Sequence, residues 1–396
     1  MQNNKTSKST GLKKIWREIK RPFKKGIWQT IVRLIARLFM SIFRPLIKQV
    51  FRAVVRAVVN DRKLAKQILS EEIAKREAGK PSLVCLPHWR EHWEGYFQSV
   101  SLDELSRRKE VLKSNMDIAS REAVEYLFNF RWDEFTNMDN IVLRSPDEVL
   151  FGKAIFPEFR REKDEIRKIY AQYKCPYSIP HVEACIPMGC GLKYMPEQVL
   201  NDYISGKDII DGGGWCGDTS MMFMEYDVRN VYCFEPHPKV FESLKKVLSD
   251  NEDVLRRRKS KIIPVQCALG NGKGSGTFYS GTDTNLDFGG GLNRPAQGMK
   301  CEVEIVSIDD FVREHNLTVG MIKLDVEGSE YDVIKGALNT IKKQHPVLCI
   351  SLYHTARDFF EIKPMLDDLD LGYKFMVRQF SRFDDWMEYN LLAYTQ

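Results

Sequence analysis

Short apolar runs alternate with amphipathic stretches from Asp208 to the end of the chain, the pattern of βα units stacked on a mostly parallel sheet. The runs predict strands at 208–212, 230–235, 261–267, 319–325, 346–353, 372–379 and 387–394. Between them, helical spacing predicts helices at 216–226, 238–249, 307–315, 329–343 and 357–369. Only the turn-like residues Ser381 to Asp385 separate the last two strands, so that pair is expected to be an antiparallel hairpin.

Upstream the periodicity changes. From Asp61 to Tyr203 the chain leans to helix, with charged periodic stretches at Leu64 to Arg76, Leu102 to Lys113, Arg121 to Phe130 and Glu158 to Tyr173, and without a catalytic motif. His88 and His92 lie four apart but lack a carboxylate partner pattern and read as structural. The segment IPMGCGLKYMP reads either as a cap over a ligand pocket or as a plain connecting loop. After it, PEQVLNDYISGKD predicts a helix leading into the first strand.

The first 60 residues hold fifteen Lys and Arg against one acid, Glu18. Cations at Arg33, Arg37, Arg44, Lys48, Arg52 and Arg56 recur at close to four-residue spacing opposite Ile, Leu, Val and Phe, with Trp16 and Trp28 nearby. No stretch of about 18 residues is free of charge, which argues against a conventional spanning helix. The preferred reading is an in-plane anchor on an anionic cytoplasmic membrane surface. A helix pair packed on the protein itself and a basic arm for nucleic acid are the alternatives; no nucleic acid is expected as partner. Pro22 and Pro45 divide the segment into two or three helices.

This segment hides the charge of the rest: the formal +6 of the chain leaves 45 cations against 53 anions beyond residue 60. With 396 residues, 43% of them apolar, the chain is a globular protein of one large or two ordinary domains. We divide it into residues 1–60, 61–200 and 201–396. Nine scattered cysteines, an odd count, and no cleavable signal pattern suit a reducing cytoplasm. Cys175, His181, Cys185 and Cys190 lack a CxxC pair, so half-buried thiols in a lead-in loop are preferred over a zinc site.

Chemistry concentrates at Ile209 to Gly217, IIDGGGWCG, with Glu235 eighteen residues past the last glycine. A strand that ends in an acid, runs into glycines and opens a helix builds a nucleotide-shaped pocket, with a second acid at the next strand end for a ribose. Gly212, Gly214 and Gly217 match GxGxxG, so a dinucleotide-dependent oxidoreductase is one reading. Asp211 stands where a carboxylate would repel a pyrophosphate, and instead suits a ligand with an ammonium group. S-adenosylmethionine carries that group and a ribose, and no phosphate.

Five motifs follow in order: DGGGWCGDT from Asp211, FEP from Phe234, IDDF from Ile308, KLDVEGSE from Lys323 and KGA from Lys335. Together they resemble the FkbM family of methyltransferases over about Gly189 to Gln396. The resemblance implies an α/β fold: a Rossmann-like class I methyltransferase sheet, mostly parallel with an antiparallel last strand, behind a helical N-terminal region. It implies that Asp211, Gly213 and Gly217 line the methionine end of S-adenosylmethionine, with Asp218 and Thr219 offering hydrogen bonds and Glu235 holding the ribose. Cys267, Ala268 and Leu269, at the end of the third strand, would lie beside the adenine with Pro236 and Phe241; ordinary strand core is the other reading of that triplet.

Methyl transfer needs an aligned acceptor and one base. Asp325 ends the fourth strand at the carboxyl edge of the sheet, Glu327 follows, and His354 ends the fifth strand, where it could titrate near neutrality. These three form the expected catalytic group, without a choice of base. Glu327 also reads as a cap of the following helix, His354 as structural, and the set as donors to a divalent metal, although no metal is predicted. The expected activity is O-methylation of a sugar, glycan or lipid-linked saccharide hydroxyl. A membrane-bound scaffold that merely retains the fold is the non-enzymatic alternative.

Overall fold

The computed structural model describes residues 87–136, 173–174, 186, 188–280, 290–292, 299–380 and 387–395. The basic segment 1–60, the stretches 64–76 and 158–172, the thiols and histidine at 175–185 and the turn 381–385 lie outside the described residues. Among the described residues no helix is long and apolar enough to cross a membrane.

Seven strands form the main sheet: β1 (Asp208–Gly212), β2 (Asn230–Phe234), β3 (Lys261–Val265), β7 (Val319–Leu324), β8 (Val347–Ser351), β9 (Lys374–Gln379) and β10 (Tyr389–Tyr394). Their order is β3-β2-β1-β7-β8-β10-β9, with β10 antiparallel to both neighbours. All seven strands read from the sequence are present, the last two paired as the expected hairpin. The fold is the class I methyltransferase arrangement. Every residue of β1, β7 and β8 is buried, as apolar runs covered on both faces require. β3 tolerates Pro264 because it is an edge strand with a free side for the missing N–H.

A second sheet was not anticipated. β4 (Ala268–Leu269), β5 (Gly274–Ser280) and β6 (Met299–Val306) pair in the order β4-β6-β5. β3 therefore ends at Val265, before the expected 267, and Ala268 and Leu269 pair with Ile305 and Val306.

Helices α4 (Asp218–Phe223), α5 (Pro238–Asp250), α6 (Glu252–Leu255), α7 (Ile308–His315), α8 (Glu330–Lys335), α9 (Leu338–Gln344) and α10 (Ala356–Asp367) join the strands. The single helix expected over 329–343 is broken between α8 and α9. Its Gly336 lies so close to the Gly270 carbonyl that a Cβ would collide with it, and the Gly336 carbonyl accepts the Asp309 N–H at 2.8 Å. The Asp309 carboxylate then caps α9, accepting from the N–H groups of Asn339 and Thr340. Two of the quoted motifs, IDDF and KGA, thus meet in one capping arrangement.

Three upstream helices, α1 (Pro87–Ser99), α2 (Leu102–Lys113) and α3 (Ile118–Thr136), share one apolar core with the sheet. Trp93, fully buried, has its ring centroid 5.3 Å from that of Phe359 on α10. α3 closes the sheet edge: the Ser120 hydroxyl accepts the Val377 N–H of β9 at 3.0 Å, and Arg378 pairs with Asp117. An edge strand is thereby denied to other strands.

Because α1–α3 and the sheet share this core, Trp93→Ala is expected to cost about 3–5 kcal/mol. Urea unfolding followed by far-ultraviolet circular dichroism should show the sheet's own transition moving to lower urea. An unmoved sheet transition would contradict the shared core.

Candidate active site

β1 ends in Gly212, and the chain turns sharply through Gly213 and Gly217, both at positive φ, before α4 begins. A Cβ on Gly213 would collide with the Asp325 carbonyl oxygen, so the turn seats directly on the end of β7. The Asp325 N–H reinforces this contact by donating to the Gly212 carbonyl at 3.0 Å.

Asp211 is fully buried beneath the turn. One carboxylate oxygen accepts from the hydroxyls of Thr219 (2.8 Å) and Ser220 (2.6 Å) on α4, and the other lies 3.3 Å from Nζ of Lys323. The expectation that Asp211 faces a ligand ammonium is corrected here, because a protein ammonium already occupies that place. Thr219 likewise spends its hydroxyl on Asp211. Asp218, half-buried at the first turn of α4, accepts the Thr219 N–H, and burial pushes its carboxyl up to about 6 against that bond and the Lys323 charge.

Glu235, buried at the end of β2, accepts the His237 N–H at 2.8 Å, and Pro236 beside it is half-buried. Phe241 packs with Cys233 and Leu244 beneath α5. Beyond the turn, Leu269 packs close to Gly212, whereas Ala268 joins Phe278 and Val303 in the second sheet. Half-buried Cys267 lies in the link between the sheets, its thiol pushed up by burial and by Glu304. His237, buried with its ring 6.0 Å from that of Phe278, stands at the same strand edge and was missed.

Asp325, Glu327 and His354 do converge. His354 Nε2 lies 3.5 Å from Asp325 and 3.7 Å from Glu327, and Nδ1 bonds Glu330 at 2.9 Å. Burial alone would depress the imidazole, but Glu330, Glu327 and Asp325 outweigh it and lift His354 to about 10. His354 is therefore an imidazolium at neutral pH, which corrects the expectation of a near-neutral titration. Glu327 sits at φ 55°, a left-handed conformation that costs a non-glycine residue energy. The acid that caps its loop is Glu330, which accepts the N–H groups of Val326 (2.8 Å) and Gly328 (2.9 Å). Glu330 lies in KLDVEGSE, and an acid in the first turn of α8 is the sequence signal for this capping role.

The three ligand atoms of Asp325, Glu327 and His354 lie within 4.8 Å of one another, a spacing also open to a cation. Tyr353 approaches from the other side, its hydroxyl 3.3 Å from both Asp325 and Glu388. Its backbone carbonyl accepts from Arg131 Nη2 at 3.0 Å and from Trp93 Nε1 at 3.3 Å.

Residues 213–389 match the family model described as the methyltransferase FkbM domain. These residues form an FkbM methyltransferase domain. Among curated proteins, the chain is 25% identical over 144 residues to the hexuronic acid methyltransferase AglP of Haloferax volcanii, covering 36% of this chain and 55% of that protein. It is 27% identical over 179 residues to Methyltransferase 1 of Beauveria bassiana, covering 40% of this chain and 70% of that protein. A crystal structure of methyltransferase FkbM from Methylobacillus flagellatus superposes with a TM-score of 0.46 at 18% identity, covering 73% of this chain and 58% of that one. The chain thus spans a little over half the length of AglP and of the solved FkbM structure. The FkbM domain contains the glycine turn and Asp325, Glu327 and His354, while Arg131 and Trp93 lie outside it.

Because the folded state raises His354 from 6.5 to about 10, its protonation stabilises the FkbM domain fully below about 6.5 and ceases to do so as pH rises through 10. The stability gap between the native protein and His354→Gln should therefore narrow steadily from about pH 6.5 to 10 in urea titrations. Nitrogen NMR of the ring should show both nitrogens protonated at neutral pH; titration near 6.5 would refute the assignment.

Proposed function

We propose that the protein transfers a methyl group from S-adenosylmethionine to a hydroxyl of a sugar, glycan or lipid-linked saccharide. The observation that carries this reading is the contact of the glycine turn with Asp325. It makes the nucleotide-shaped turn and the acid cluster two walls of one site at the carboxyl edge of the sheet. The turn suits such a donor, since Gly213 and Gly217 take the positive φ that bends the backbone sharply between the end of β1 and the start of α4. Gly213, Gly217 and Asp218 would hold its amino-acid end, with Thr219 acting behind them through Asp211, Glu235 would hold its ribose hydroxyls, and Pro236, Cys267, Ala268 and Leu269 its adenine. When bound, the donor supplies a methyl on a sulfonium, already a good leaving group.

The chain's own residues then align the acceptor and take its proton. With His354 an imidazolium, a carboxylate of Asp325 or Glu327 is the base that the geometry leaves, and the imidazolium offsets negative charge as the acceptor oxygen loses its proton. The saccharide acceptor is supported by AglP, whose own name places it on hexuronic acid. Residues 1–60, as an anchor on an anionic membrane surface, would suit a lipid-linked acceptor.

Calorimetry should show S-adenosylhomocysteine binding, weakened about tenfold or more in Glu235→Gln through loss of charge-assisted hydrogen bonds. Binding of NAD in its place would overturn the methyltransferase reading. Mass spectrometry of glycolipids and polysaccharides from cells with and without the gene should show a shift of one methyl. Complementation with Asp325→Asn or Glu327→Gln should lower its appearance about 10²–10⁴-fold for whichever carboxylate is the base. A full signal with both replaced would exclude them.

A further inference from the structure

Lys323 is buried to within 7% of full burial, yet it carries an ammonium group. Parallel pairing of β1 with β7 sets it level with Asp211, so both side chains leave adjacent strands at the same height. Its Nζ lies 2.9 Å from the Gly213 carbonyl, 3.3 Å from the Gly212 carbonyl and 3.3 Å from the Asp211 carboxylate. Burial, which would discharge it, is outweighed by Asp211, Asp325, Cys190 and Asp218, which raise it well above its ordinary value.

We propose that Lys323 is the positioning residue of the donor turn, with Asp211 as its counter-ion. In a trans peptide the C=O and the next N–H point in opposite directions. No peptide bond described is cis, so the Gly212 carbonyl, held inward by the Asp325 N–H at 3.0 Å together with the ammonium, turns the Gly213 N–H outward. The second clamp, on the Gly213 carbonyl, goes with a Gly214 N–H directed to the Phe234 carbonyl at 2.9 Å, which ties the turn to β2. The outward Gly213 N–H would then be the group that holds the donor's amino-acid carboxylate, with the lysine charge behind it. This role rests on the donor assignment above. It also explains why an acid can precede the glycines without presenting its charge to a ligand.

The test separates the lysine's clamp from simple neutralisation of Asp211. Lys323→Met alone strands a buried carboxylate and is expected to lower Tm sharply. Asp211→Asn/Lys323→Met removes both charges and should recover much of that loss. Its affinity for S-adenosylhomocysteine, by calorimetry, should nevertheless stay about 10–100-fold below the native value, and amide exchange over residues 212–218 should be faster. Native affinity in the double variant would overturn the proposal. If the native protein itself fails to bind S-adenosylhomocysteine, the donor assignment falls. Exchange then decides the clamp on its own, and unchanged protection over 212–218 in the double variant would refute it.

Discussion

The register between β1 and β7 is the constraint from which the site follows. It sets Asp211 beside Lys323 and Gly212 beside Leu324, so the two strands end together and their turns must touch. A buried ion pair by itself is a doubtful source of stability, because desolvating two charges consumes most of their attraction. Here both members also hold neighbouring groups, although Asp211 Oδ1 faces the ammonium without a hydrogen bond of its own. Asp211 holds two hydroxyls of α4, and Lys323 holds two carbonyls of the turn. One pair therefore fixes the start of α4, the path of the glycine turn and the seat on Asp325. A one-residue slip would put the two charges on opposite faces of the sheet and disconnect all three.

The acid cluster is organised on a second principle, one cation among several carboxylates. His354 is enclosed completely and touches Glu330 on one ring nitrogen while Asp325 and Glu327 face the other. Burial and the Glu330 charge push the neighbouring Asp358 carboxyl up, so the interior holds fewer negative charges than its acids suggest. Glu330 bonds both the histidine and the 326–328 loop, and through them it sets the separation between Asp325 and Glu327. That separation is where an acceptor hydroxyl would have to fit.

What the sequence disclosed and what it withheld divide along the same physical line. Strands such as IID, MIKL and VLCIS are buried on both faces, so their apolar runs announce them, and the antiparallel pair follows from the missing helix. The second sheet is different. β4 has only two residues, and β5, GSGTFYS, is largely polar and glycine-rich, so neither makes a readable run. The break at Gly336 depends on the distant Gly270 carbonyl, which periodicity within one helix cannot register. At the site, residue types and strand ends placed Asp325, Glu327 and His354 together correctly. Their charge states were hidden, because the counter-ion of Asp211 and the partners of His354 come from other strands and loops.

The helices outside the FkbM domain reach the site through the Tyr353 backbone carbonyl. The Tyr353 carbonyl takes N–H groups from Trp93 and Arg131, while the side chain of the same residue spans Asp325 and Glu388 and its ring lies 4.1 Å from that of His354. Arg131 is almost wholly buried, stacked 5.4 Å from the Trp93 ring, so its position is set by α1 and α3 and not by solvent. A rotation of that Tyr353 peptide would move His354, the next residue, relative to both carboxylates. Two donors on one carbonyl resist that rotation, and both come from helices that share the core with α10. The packing of Trp93 against Phe359 thereby sets not only the stability of this face but the angle at which the imidazolium meets Asp325 and Glu327.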